Sequence, residues 1–160
     1  MAEIRRAIDD GADEFDTVIN ICAVKDENWN YLRNDIDSMT RAAHLRGKIV
    51  KINLEIALLS PKEIRKVCEI CIESGANFIK TSTGLFGVPT VDNISFLKNS
   101  LPDEIKIKAS GNVQTKAEVE ALLKAGANRI GTEHGMKILN DFQKVAVGDS
   151  NADSGIQFDF

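Results

Sequence analysis

Three residues in this chain are of types that could do covalent chemistry together: Lys80, Lys108 and Asp16. A lysine amine attacks a carbonyl carbon only when it is unprotonated, and an isolated one keeps its proton to about pH 10.4. A second ammonium close by, together with desolvation, lowers that value and releases the lone pair. A carboxylate beside the two amines can then move protons, through water, as an adduct forms and breaks. The product of such a trio is a Schiff base with a carbonyl substrate. Taken singly, each residue has a plainer reading. A lysine at a strand end is usually a solvated charge, and Asp16 could be a structural cap. The combination is what points to a site.

The elements that must position these residues follow from alternating short apolar runs and capped amphipathic stretches, the pattern of βα units on a parallel sheet. Strands are expected over 14–20, 49–55, 77–81, 105–109 and 128–131. Strand alternation puts Ile105 and Ile107 on one face and Lys106 and Lys108 on the other. It likewise separates Asp16 from Phe15, Thr17 and Ile19. In a barrel the apolar face meets the helices, so Lys108 points inward near the C-terminal end of its strand, the end at which such folds place their chemistry. Lys80 ends the third strand, and chain order makes the strands of Lys80 and Lys108 neighbours.

Helix starts are marked by Ser60-Pro61-Lys62-Glu63 and Thr115-Lys116-Ala117-Glu118, both capping boxes, and by Thr90. Asp26 is the expected cap of the helix carrying Trp29, Leu32, Ile36, Met39 and Ala43. Helix ends are marked by a repeat: Gly11-Ala12-Asp13, Gly75-Ala76-Asn77 and Gly126-Ala127-Asn128 each lead from a helix into a strand. Residues 1–144 therefore read as one αβ unit array, and 145–160 as a polar, mobile tail.

The chain has 160 residues, too few for a complete (β/α)₈ barrel of about 250 residues. Hydrophobic residues at 43% and charged residues at 28% are ordinary for a globular domain. A net charge of −4 without a basic block argues against nucleic acid or an anionic membrane as the main partner. No apolar run approaches the length of a membrane span, and the N-terminus does not read as a secretory signal. Three cysteines fit a reducing, cytoplasmic setting better than a disulfide framework. Cys68 and Cys71 spell CxxC, but both fall on an apolar helix stripe and read as core. Glu55 alternates to the face of Asn53 and Lys51, and is expected to pair with Lys80 or Lys108 or to neutralise them.

With these residues in view, the chain resembles the deoxyribose-phosphate aldolase family. The likeness is carried by Phe78-Ile79-Lys80-Thr81-Ser82-Thr83-Gly84, Ile107-Lys108-Ala109-Ser110-Gly111, Arg129-Ile130-Gly131-Thr132 and Glu14-Phe15-Asp16-Thr17-Val18-Ile19-Asn20, and it runs from Met1 to about Leu139. The resemblance implies a partial TIM barrel of about five parallel βα units, class I aldolase chemistry, and no metal or other cofactor. The implied reaction is reversible cleavage of 2-deoxy-D-ribose 5-phosphate to D-glyceraldehyde 3-phosphate and acetaldehyde. It also implies roles: Lys80 as Schiff-base nucleophile, Lys108 as the cation that tunes it, and Asp16 as the proton-relay carboxylate. Thr81, Gly84, Ser110, Gly111, Asn112, Gly131, Glu133 and His134 would surround the substrate and its phosphate.

Two departures from the family pattern shape the alternatives. The chain begins in the helix before the family's fourth strand, so the first three βα units are absent. The open sheet should then expose an edge and an apolar inner face, favouring homo-oligomers or association through the open flank. A truncated, catalytically impaired fragment or a non-catalytic remnant is the alternative that follows. The phosphate cradle also differs, with Asn112 and Gln114 where the family commonly has Gly and Arg, Glu133-His134 for Ser-Ser, and Leu85 at a position often basic or small. That second departure leaves open a Schiff-base aldolase acting on an unphosphorylated aldehyde.

Overall fold

A computed structural model describes residues 2–148 of the chain. Helix α1 (Ala2–Asp9) leads into strand β1 (Glu14–Val18), a short helix α2 (Ile21–Lys25) and the long α3 (Trp29–His44). Then follow β2 (Ile49–Asn53), a 3₁₀ turn (Ile56–Leu58), α4 (Pro61–Glu73), β3 (Phe78–Lys80), α5 (Val91–Ser100), β4 (Lys106–Ser110), α6 (Lys116–Lys124), β5 (Arg129–Gly131) and α7 (Gly135–Gly148). The five strands form one parallel sheet in chain order. The last helix extends past the expected boundary at 144/145; the rest of the expected tail, 149–160, lies outside the described residues.

The helix starts are built as their sequences dictate. Ser60, Thr90 and Thr115 each accept a hydrogen bond from the backbone N–H three residues on, and Glu63, Asn93 and Glu118 return the bond to the cap. Asp26 is not the cap of α3. It closes α2, and the Asn28 side chain caps α3 by accepting from the Tyr31 N–H.

The Gly-Ala-Asp/Asn repeat also has a clear physical job. In each copy the Gly N–H bonds a carbonyl three residues back and the Ala N–H one five residues back, closing the helix in the same way. The two Asn copies then reach sideways. Asn77 Oδ1 accepts from the Val50 N–H of β2 at 3.0 Å, and Asn128 Oδ1 from the Ile107 N–H of β4 at 2.8 Å. Each helix stop is thereby locked to the start of the neighbouring strand.

Alternation divides the sheet sharply. Phe15, Val50, Ile52, Ile79, Ile107 and Ala109 face the helices, where they join Leu32, Ile36, Val67, Ile94, Leu97 and Leu122 in one buried cluster. The other face carries Glu14, Asp16, Lys51, Asn53, Lys80, Lys108 and Arg129. The expected apolar inner face is therefore not found. Charged side chains tied to one another line most of it; its apolar members are Val18, Ile49 and Phe78, the last under the Arg129 guanidinium, 4.9 Å from the ring centre. Arg129 on the last strand forms an ion pair with Glu14 on the first. Side chains on opposite edges meet because the sheet curls into a trough, the curvature that leads toward a barrel.

Candidate functional site

Asp16 is the hub of the inner face. Its Oδ2 accepts hydrogen bonds from Lys80 Nζ at 2.8 Å and Lys108 Nζ at 2.7 Å. Its other oxygen, Oδ1, lies 3.0 Å from Lys51 Nζ. The two amines singled out in the sequence thus share one acceptor atom and can be no further apart than those two bonds allow. Both are mostly withdrawn from solvent, their side chains 14% and 18% exposed. Burial opposes ionisation of Asp16, but the hydrogen bonds from Lys108, Lys80 and Lys51 outweigh it and hold the carboxyl well below the ordinary carboxylate range.

Strand register explains the meeting. Lys80 is paired with Lys108 across β3 and β4, and Asp16 with Lys51 across β1 and β2. Curling then carries Asp16 over the trough to the two lysines. Lys51 was not singled out by the sequence, although it is buried and bonds both Asp16 and Glu14, the latter at 2.7 Å. Glu14 and Arg129 were missed as well. The available signal was parity: Lys51 shares its strand face with Asn53, and its cross-strand partner is Asp16.

Glu55 departs from expectation. It does not pair with Lys80 or Lys108. The strand has ended at Asn53, and Glu55 adopts a left-handed backbone conformation (φ 49°) that turns it under the loop after β3. There its carboxylate accepts from the Thr83 N–H at 2.7 Å and from Asn53 Nδ2 at 2.9 Å, and it lies 3.1 Å from Ser82 Oγ. Burial raises its carboxyl, but these bonds prevail and lower it overall. Glu55→Ala strands the Thr83 and Asn53 donors and should reduce the unfolding free energy by about 3 kcal/mol in urea denaturation.

The remaining expected site residues fall into two groups. Thr81 and Ser110 are buried and stitched together. Thr81 Oγ1 donates to the Ser110 carbonyl and accepts from the Ser110 N–H, while Ser110 Oγ donates to the Ser82 carbonyl. These bonds tie the end of β3 and its following loop to β4. Gly84 and Gly111 pack backbone to backbone; a Cβ on Gly111 (φ 117°) would lie 2.9 Å from the Gly87 carbonyl. A Cβ on Gly131 would meet Ser110 Cβ at 2.8 Å and Lys108 Cε at 3.3 Å, so its absence leaves room for the lysine.

Asn112 Oδ1 accepts from Gln114 Nε2 at 2.6 Å. Glu133 and His134 are exposed just ahead of α7, and the His134 N–H donates to Thr132 Oγ1. A hollow of about 390 Å³ between the starts of α5 and α6 is lined by Val88, Val91, Asn112, Gln114 and Glu118 among others, with no basic residue in its wall.

Cys68 and Cys71 lie in the core, where burial pushes the Cys68 thiol up to about 12 and that of Cys71 well above its usual value. Among the described residues no cluster of His, Cys, Asp or Glu is arranged to hold a metal ion, and no helix is long and apolar enough to cross a membrane.

A parallel βα trough with a carboxylate and two amines gathered on its inner face, Asp16 and Lys108 at mid-strand and Lys80 at a strand end, is the build of a section of an α/β barrel. Comparison with known proteins gives the family. The sequence profile of the DeoC/LacD family aldolases matches residues 1–144, and the chain belongs to that family. A deoxyribose-phosphate aldolase of Thermococcus kodakarensis is 44% identical over 138 residues, which make up 86% of this chain and 62% of that protein. The solved structure of QR15, an aldolase, superposes with a TM-score of 0.85 at 36% identity, covering 91% of this chain and 66% of that one. A deoxyribose phosphate aldolase from Aeropyrum pernix, described as having a unique tetrameric structure, shares the fold at a TM-score of 0.80 and 24% identity, over 90% of this chain and 61% of that one. The chain thus spans less than two thirds of the length of these relatives.

Proposed function

We propose that this chain carries the Schiff-base centre of a class I aldolase acting on 2-deoxy-D-ribose 5-phosphate, with Lys80 as nucleophile. The observation that carries the reading is the single Asp16 oxygen shared by the Lys80 and Lys108 amines in a partly desolvated trough. In this reading the Lys80 lone pair adds to the substrate's carbonyl carbon, and water leaves to give an iminium. The iminium accepts the electron pair of the bond between the substrate's second and third carbons as that bond breaks. The hydroxyl proton of the departing D-glyceraldehyde 3-phosphate passes to Asp16 through water. The resulting enamine takes a proton at carbon, and hydrolysis releases acetaldehyde and the free amine. Lys108 supplies positive charge beside the reacting nitrogen. The ligands are small molecules, the setting is the reducing cytoplasm, and the tetramer described for the Aeropyrum relative supports assembly with further copies.

The test is covalent trapping. Acetaldehyde with borohydride should leave a reduced two-carbon adduct on Lys80, located by peptide mass spectrometry. A folded sample with no adduct would support the alternative of a non-catalytic or impaired fragment and sink the reading.

The loops after the strands favour a second substrate reading. Leu85 follows Gly84, Asn112 and Gln114 follow Gly111, and Glu133 follows Gly131, so no Lys or Arg accompanies these glycines, and Leu85 and Glu133 are exposed. An unphosphorylated aldehyde suits such loops better than a dianion. Comparing cleavage of 2-deoxyribose with that of its 5-phosphate decides between them; a strong preference for the phosphate eliminates the second reading.

A further inference from the structure

The interior charges form one continuous chain across the trough. Arg129 of β5 pairs with Glu14 of β1, Glu14 Oε2 lies 2.7 Å from Lys51 Nζ of β2, and Lys51 Nζ lies 3.0 Å from Asp16 Oδ1. Asp16 Oδ2 then takes Lys80 and Lys108. Glu14 is held below the ordinary carboxylate range, chiefly by the Lys51 hydrogen bond and, after a burial penalty, by that of Arg129. Lys51 is deeply buried, its side chain 5% exposed, so it must divide its positive charge between two carboxylates. The more firmly Glu14 holds it, the less it draws on Asp16.

We propose that Glu14 and Arg129 are positioning residues of the lysine centre: the ion pair joining the two edge strands sets how Lys51 is shared, and thereby how much of the Asp16 carboxylate is left for Lys80 and Lys108. The proposal rests on the same centre as the proposed function, but its test needs no turnover. The charged groups facing Lys80 from the strands around it are Asp16 and, behind it, Glu14 from β1, Lys51 from β2, Lys108 from β4 and Arg129 from β5. Lys106 shares the face but turns its amine to the Asp103 carbonyl.

Removing one member of the edge pair has a sign. Glu14→Gln leaves Lys51 wholly to Asp16 and deletes a negative charge, so the Lys80 amine should lose its proton at lower pH. Arg129→Gln leaves Glu14 wholly to Lys51, frees Asp16 for the lysines and deletes a positive charge, so the amine should lose its proton at higher pH. Each displacement should be roughly half a pH unit, as expected for a unit charge a few residues away in a partly wet interior.

The measurement is competitive labelling with acetic anhydride, following Lys80 acetylation by mass spectrometry as a function of pH. Opposite displacements in the two variants are the expected result. No displacement, or displacement in the same direction, in folded protein overturns the proposal. Bare charge removal also reverses sign, so both substitutions are repeated on Lys51→Met: displacements that shrink there support a relay through Lys51, and displacements that persist undiminished overturn it. Should a Gln variant fail to fold, Arg129→Lys and Glu14→Asp retain the charges and should label with the wild-type midpoint; midpoints displaced together in one direction again overturn it. Opposite displacements without aldehyde trapping would leave this proposal standing and remove the proposed function. Trapping without them would do the reverse.

Discussion

A Lys80→Arg chain should fold, keep its charge and its bond to Asp16, and capture no acetaldehyde at all. A guanidinium stays protonated throughout the accessible pH range, so it offers Asp16 the same ionic partner but no lone pair to a carbonyl carbon. Retro-aldol turnover, measured by coupling acetaldehyde release to its reduction, should fall on the order of 10⁴-fold or more, the scale of losing a covalent nucleophile. Lys108→Met gives the contrasting pattern. The nucleophile survives, so borohydride still traps an adduct on Lys80, only more slowly. If Lys80→Arg still trapped the aldehyde and Lys108→Met did not, the two roles would have to be exchanged.

Asp16→Asn should cost stability as well as activity. Three amines, Lys51, Lys80 and Lys108, converge on this carboxylate. Replacing it leaves them facing one another, with Glu14, already bonded to Lys51, as the neighbouring counter-charge among the described residues. Allowing for the partial solvent access of Asp16, about 2 kcal/mol of unfolding free energy should be lost at neutral pH.

The pH dependence has a definite direction. The folded carboxyl lies below its unfolded value of about 3.9. Its contribution is therefore complete above that value and is lost as the pH falls through it toward the lower folded value. Urea midpoints measured from pH 6 to 3 should drop steeply for the wild type and less steeply for Asp16→Asn. The variant keeps some slope because Glu14 and Glu55 are lowered in the same sense. Parallel curves for the two proteins would show that Asp16 is not the counter-charge described.

Much of this was legible because its causes are local. Each strand lies within a residue or two of the run that announces it, and Ser60 and Thr115 start helices in the way their capping boxes require. Asp16 and Lys108 were singled out by residue type and parity, and Lys80 by its place at the end of a neighbouring strand; the structure brings the three side chains together. What escaped depends on where the chain turns. The first strand stops at Val18 because Asn20 leaves the ladder to cap α2, accepting from the Ala23 N–H. That short helix shifts the cap of α3 from Asp26 to Asn28.

Glu55 kept the right alternation on paper, but a left-handed backbone step sent it beneath the loop instead of into the trough. The Arg129–Glu14 pair depends on curvature, which links residues 115 positions apart and leaves no trace in either local pattern.

Strand order divides the centre into two mechanical parts. Lys80 and Lys108 stand side by side on the paired strands β3 and β4, whereas Asp16 reaches them from β1, with β2 lying between it and β3. The spacing of the two amines is thus set by one strand pairing, and the approach of the carboxylate by the bend of the whole sheet. A change of curvature would reach the nucleophile as a change in its proton partner before it disturbed the two amines' own spacing.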